Sequence, residues 1–212
     1  MALTVIPQFL QLTNRPCLML GDNQEAITKG RVLMEAGAEL RVMAADPKRW
    51  PSDLAQQITW ISGPLQPQQL DDVWLVVSTL EEKSINQQLF SLCQARHIFL
   101  NTVDQPQFCS FIWPAVVKKP PFIIAISTAG RGPALAGWLR RKLERELPDN
   151  LGELANWFAH WRKKTAPSFS TLQQRGKFWR DLFDAGLLDI YLSGRVNRAE
   201  KRIKKALKKK KR

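Results

Sequence analysis

Pro16-Cys17-Leu18-Met19-Leu20-Gly21-Asp22-Asn23-Gln24-Glu25-Ala26 is the stretch whose reading decides the fold. A short, mostly apolar run enters a glycine turn and then a helix-forming segment, the strand, turn and helix that open a βαβ unit. The helix is expected to continue through Ile27, Leu33 and Met34 and to stop at Gly37. A second strand then runs from Leu40 to Ala45, at the spacing a βαβ crossover needs. Further apolar runs at Ile58 to Ile61, Val73 to Val77 and Ile98 to Val103, with a helix from Ile85 to Ala95, continue the alternation. The pattern predicts an α/β fold with a parallel, doubly wound sheet covered on both faces.

The pattern changes after Asp104. Two β-rich runs, Phe108 to Val117 and Phe122 to Ser127, flank the turn-like Lys118-Lys119-Pro120-Pro121 and predict a small β unit. Gly132-Pro133 then opens a helix in which Leu135, Leu139, Leu143 and Leu147 recur every four residues, with proline at a first-turn position. From Asn150 onward the chain reads as helical, with Trp157, Trp161, Phe178, Trp179, Leu182 and Phe183 as candidate core. The domain organisation expected is 1–113, 114–147, 148–194 and a basic tail at 195–212.

The 212 residues are 44% hydrophobic, with eight Trp and ten Phe, ample for a core, which excludes disorder for most of the chain. No apolar run approaches the roughly 20 residues of a membrane-spanning helix. The opening Met1 to Pro16 has no basic stretch before its apolar residues, so no secretory signal is expected. Cys17, Cys93 and Cys109 are widely spaced, which argues against a disulfide framework or a cysteine zinc site and suits a reducing cytoplasm. His97 and His160 share no ligand spacing. The net charge of +13 is concentrated at one end, because Arg195 to Arg212 alone carries +10. Such a tail attracts polyanions without distinguishing nucleic acid, an anionic surface or a polyanionic small molecule. Like charges three and four residues apart predict a fraying, mobile helix there.

In a dinucleotide-binding turn, backbone amides and a helix N-terminus face the pyrophosphate, so glycines are wanted. Gly21 and Ala26 fill the first and third positions of a GxGxxA pattern, with Gln24 and Glu25 between them and the helix, but Asn23 replaces the second glycine. Asp22 adds a negative charge beside it. Asp46, after the second strand, reads equally as a ribose contact or an ordinary loop start.

Several longer stretches carry a resemblance. Leu33 to Ala38, Asn101-Thr102-Val103-Asp104-Gln105-Pro106, Phe111 to Ala115, Ile124 to Gly130 and Leu147 to Gly152 stand in the order and spacing of the precorrin-2 dehydrogenase and sirohydrochlorin ferrochelatase family, which includes the amino-terminal module of siroheme synthase. The chain resembles that family from about Pro7 to Leu187. The resemblance implies a Rossmann-like NAD-binding domain, a β-containing dimerisation region exchanged between the subunits of a homodimer, and a helical domain over the tetrapyrrole site.

It further implies oxidation of precorrin-2 to sirohydrochlorin with NAD, and insertion of ferrous iron as a substrate. Asp104 matches the aspartate implicated in both reactions, since a carboxylate can accept the proton released in either one. Read from the residues alone, the same aspartate could cap a turn before Pro106. Ser78 and Thr79 fall where the family contacts the dinucleotide, although Leu80 replaces the usual acidic residue. Ser127, Thr128, Gly130 and Arg131 offer hydroxyls, amides and a cation to a tetrapyrrole carboxylate, or form a routine helix cap. Gly132 stands where the family has serine. The departures at Asp22, Asn23 and Leu80 predict weak NAD binding or its loss. Two alternatives stay open: an NAD-deficient relative acting as a chelatase or tetrapyrrole-binding protein, and a basic nucleic-acid-binding protein.

Overall fold

The computed structural model describes residues 5–210. Met1 to Thr4, which open the stretch read for a leader, and Lys211 and Arg212 of the basic tail lie outside the described residues. The chain divides between Trp113 and Pro114 into two compact units.

In the first unit, β1 (Pro16–Leu20), β2 (Glu39–Met43), β3 (Thr59–Trp60), β4 (Leu75–Ser78) and β5 (Phe99–Thr102) form one sheet in the order β3-β2-β1-β4-β5. Every pairing is parallel, with Leu18 opposite both Arg41 and Val76. Alternation along β1 explains why the run is apolar throughout: Cys17 and Met19 enter one core, Leu18 and Leu20 the other, because successive strand side chains face opposite ways. Helix α1 (Gln24–Glu35) lays Ala26, Gly30 and Leu33 on the first core. The short α2 (Ser52–Ala55) adds Leu54 to it. Helix α3 (Lys83–Ala95) lays Leu89 and Cys93 on the second. Gly30 is required by close packing, since a Cβ there would stand 2.6 Å from the Trp50 ring. This order reverses direction between β1 and β4, and such a switch point opens a crevice at the carboxyl ends of the strands.

In the second unit, β6 (Ala115–Lys119) and β7 (Phe122–Ile126) form an antiparallel hairpin, against which α4 (Pro133–Glu146) packs. Helices α5 (Leu151–Thr165), α6 (Leu172–Asp184), α7 (Leu187–Leu192) and α8 (Val196–Lys210) share a core built on Leu154, Trp161, Trp179, Leu182 and Leu187.

Two expectations need correction. The run Phe108 to Val117 is mostly not a strand: Pro106–Phe108 is a single 3-10 turn, Phe111 and Trp113 cover the first core, and β6 begins only at Ala115 and extends through Lys118 and Lys119. Aromatic burial there mimics a strand pattern without strand pairing. As far as Lys210 the basic end is no frayed tail either, because Ala199 and Ile203 of α8 are fully buried in the helical core. Apolar residues at i, i+4 and i+8, completed by Leu207, outweigh the repulsion among the lysines.

Candidate functional site

The crevice between β1 and β4 is shaped by Gly21. Its φ is +130°, a region that favours glycine, and a Cβ there would fall inside the contact radius of Thr79 Oγ1. Thr79 Oγ1 in turn donates to the Leu20 carbonyl at 3.3 Å. The next candidate, Asp22, turns away from the helix terminus. Its Oδ2 accepts the Asp46 amide at 2.8 Å, and its Oδ1 lies 3.3 Å from Arg49 Nη1. The expectation of an uncompensated charge at the pyrophosphate therefore gives way to a paired one.

Asn23 carries no strain: its φ of −80° and ψ of 171° are ordinary extended backbone, and its Oδ1 accepts the Ala26 amide at 2.9 Å as the N-cap of α1. The backbone there does not enter the positive-φ region, so a glycine is not needed for its conformation. Among the described residues the Gln24 and Glu25 amides have no internal acceptor, as expected of first-turn groups that can receive an anion. These features fit a dinucleotide pyrophosphate at Gly21 to Glu25.

Other candidates are engaged by the fold. The Ser78 hydroxyl is fully buried and donates to Asn86 Oδ1 at 2.7 Å, so it ties β4 to α3 instead of facing the crevice. Asp46 Oδ1 caps the turn at Pro47–Arg49 by accepting the Lys48 amide at 3.1 Å. Its side chain remains half-exposed.

Asp104 lies just beyond β5 in a left-handed conformation, φ +57°, a region that non-glycine residues enter at a cost but that aspartate and asparagine tolerate better than most. Its side chain is exposed and, among the described residues, accepts no hydrogen bond. It is therefore no Asx cap. The turn is held without it: Thr102 Oγ1 donates to the Gln105 carbonyl at 3.0 Å, and Gln105 Nε2 donates to the Glu81 carbonyl at 3.1 Å. Cys109 Sγ accepts the Thr102 amide at 3.2 Å, which makes that cysteine part of the brace.

Sequence reasoning missed Lys29, a buried lysine on α1. Its ammonium stands 4.3 Å over the Trp113 ring and 3.4 Å from Glu25 Oε1. Burial holds Lys29 below the usual lysine range, while the charges of Glu25, Cys109 and Asp104 pull the other way. A signal was available, because position 29 shares the buried face of Ala26, Gly30 and Leu33. Glu25 is thus partly occupied by this pair.

Ser127, Thr128, Gly130 and Arg131 lie in the second unit. Ser127 Oγ accepts the Ala129 amide and Thr128 Oγ1 the Gly132 amide, at 3.1 and 3.0 Å. Positive φ at Ala129 and Gly130 bends the loop into the N-terminus of α4, with Arg131 exposed. His97 and His160 join no metal-ligand cluster among the described residues, and no helix there is long and apolar enough to cross a membrane.

Three family models tile the chain. One described as NAD(P)-binding matches residues 8–115, one described as the sirohaem biosynthesis protein central region matches 124–146, and one described as the sirohaem synthase dimerisation region matches 150–207. The last falls on α5 to α8, downstream of the 114–147 segment expected to dimerise. Among curated relatives, siroheme synthase of Photorhabdus laumondii is 34% identical over 207 residues, covering 95% of this chain and 43% of the relative. That of Edwardsiella ictaluri is 40% identical over 181 residues, covering 84% and 39%. The chain thus spans less than half the length of these relatives. A solved precorrin-2 dehydrogenase, SirC, shares the fold, with a TM-score of 0.74 at 16% identity over 95% of this chain and all of that one.

Proposed function

Since this chain belongs to the siroheme synthase family, matching its amino-terminal module, we propose that it oxidises precorrin-2 to sirohydrochlorin with NAD. The observation that carries this reading is the Asp104 carboxylate, exposed, without a hydrogen-bond partner among the described residues, and held in a left-handed turn at the end of β5. A carboxylate left free by a turn that is braced through other groups is available to accept a proton.

NAD, when bound, supplies the acceptor for the hydride. Gly21 and the first-turn amides of α1 hold the pyrophosphate. Thr79 supports the glycine turn from the neighbouring strand. Asp104 accepts the proton that leaves the macrocycle as the hydride departs, and returns it to water. The pairing of Asp22 with Arg49 and the unstrained backbone of Asn23 favour this reading over an NAD-deficient relative. In chelation, Asp104 would receive in turn the pyrrole protons displaced as ferrous iron, a substrate, enters sirohydrochlorin. Arg131 and the Ser127 to Gly130 loop suit a tetrapyrrole carboxylate.

The second unit supports a homodimer. Phe122, Ile123, Leu135 and Trp138 are exposed on a hairpin and helix too thin to bury them alone, and a partner subunit would cover them. Three free cysteines suit a reducing cytoplasm.

Purified protein incubated with precorrin-2 tests the activity through the absorbance of sirohydrochlorin. Product should form with NAD and not without it. Equal rates in both, or no product in either, would overturn the dehydrogenase reading.

A further inference from the structure

Helix α8 turns most of its apolar residues to the core: Ala199 and Ile203 are fully buried and Leu207 packs beside them, while Val196 at its start is exposed. The helix is thereby rigidly seated, with its basic residues on the outer side. Its one acid, Glu200, is 3.8 Å from Lys204. Among the described residues Arg198, Lys201, Arg202, Lys205 and Lys209 have no acidic partner.

These five cations rim a cleft of about 460 Å³. Leu182 of α6, Ile190 of α7 and Ala206 of α8 floor it. An adjoining cleft of about 520 Å³ shares Leu182, Ala206 and Lys209 and adds Phe169 and Phe178. Its only acid, Asp181, is paired with Lys177 at 2.9 Å. The two clefts make one groove along α8, apolar below and positive along its edge.

We propose that this groove is a second tetrapyrrole site, holding the edge of an octacarboxylate macrocycle by its ring face against the apolar floor and by its carboxylates against the five cations. The ligand class rests on the precorrin-2 reading above; the groove itself does not. Charge complementarity selects a polyanion, and the apolar floor selects one with a flat hydrophobic body. A membrane surface fits less well, because Val196 is the one large apolar residue that α8 leaves exposed among those described, too little to insert. Single-stranded nucleic acid wants open aromatic platforms, whereas Phe169 and Phe178 are half-buried against each other at 5.0 Å. Such a site would retain a polycarboxylated substrate or product near its enzyme.

The test titrates uroporphyrin III into the full chain, into Asp104→Ala, and into the triple variant Lys201→Gln, Lys205→Gln, Lys209→Gln. All three lysines are exposed, so an unchanged melting curve is expected. The triple variant should bind at least tenfold more weakly at about 0.05 M salt, while Asp104→Ala keeps the groove's affinity. Part of the wild-type binding should survive about 0.5 M salt, where purely electrostatic attraction is screened. Unchanged binding by the triple variant, loss of all binding at high salt, or displacement of the porphyrin by an equimolar oligonucleotide would each overturn the proposal. Porphyrin held at the groove by a chain that forms no sirohydrochlorin would remove the dehydrogenase reading alone.

Discussion

Arg49 holds its guanidinium 3.3 Å from the Asp22 carboxylate, at the turn that would receive a dinucleotide pyrophosphate. Without it, Asp22 would oppose the phosphate with a full charge. The arginine is largely exposed, so its screening is worth about 0.2–1 kcal/mol. Arg49→Ala should therefore weaken NAD binding by up to about fivefold, and Asp22→Asn in that background should restore it. Calorimetric titration of the two variants checks this, and equal affinities for wild type and Arg49→Ala would contradict it.

The same pair shows what was not legible in the chain. Asp22 could be read as a defect because its partner lies 27 residues away, on a loop whose position depends on β2 being placed beside β1. The sheet itself was legible, since strands buried on both faces must be apolar throughout, as Cys17 to Leu20 are. Asp104 was legible only through its motif; its free carboxylate and left-handed backbone depend on hydrogen bonds made by Thr102 and Gln105. At the basic end, charge hid packing, because the few apolar residues of α8 count for more than their many lysines once Ile203 is buried.

Ile203→Ala should then destabilise the protein by about 2–5 kcal/mol, the range for emptying a buried aliphatic site. Deletion of 195–212 should expose the helical core and lower the melting temperature, where a solvated tail would leave it unchanged. Thermal unfolding distinguishes the two.

Burial pushes the Cys17 thiol up to about 11 and the Cys93 thiol up to about 12, from 9.0. Above about pH 9 the unfolded chain releases these protons while the folded chain keeps them. Stability therefore falls as pH rises, beginning near the unfolded value and levelling only past the folded ones. Each thiol adds a slope of up to about 1.4 kcal/mol per pH unit. Urea unfolding between pH 8 and 11 should show a flatter decline in Cys17→Ala and Cys93→Ala than in wild type. Lys29 titrates in the opposite sense but is common to all three proteins, so it drops out of the comparison.

Asp104→Asn gives the most direct test of the central claim. Asparagine tolerates the left-handed backbone as well as aspartate does, and the turn is braced by Thr102, Gln105 and Cys109, so the fold should melt unchanged. Only the capacity to accept a proton is removed. Sirohydrochlorin formation from precorrin-2 and NAD should fall by at least about a hundredfold, the contribution of a positioned general base. A folded Asp104→Asn protein turning over at the wild-type rate would contradict the account.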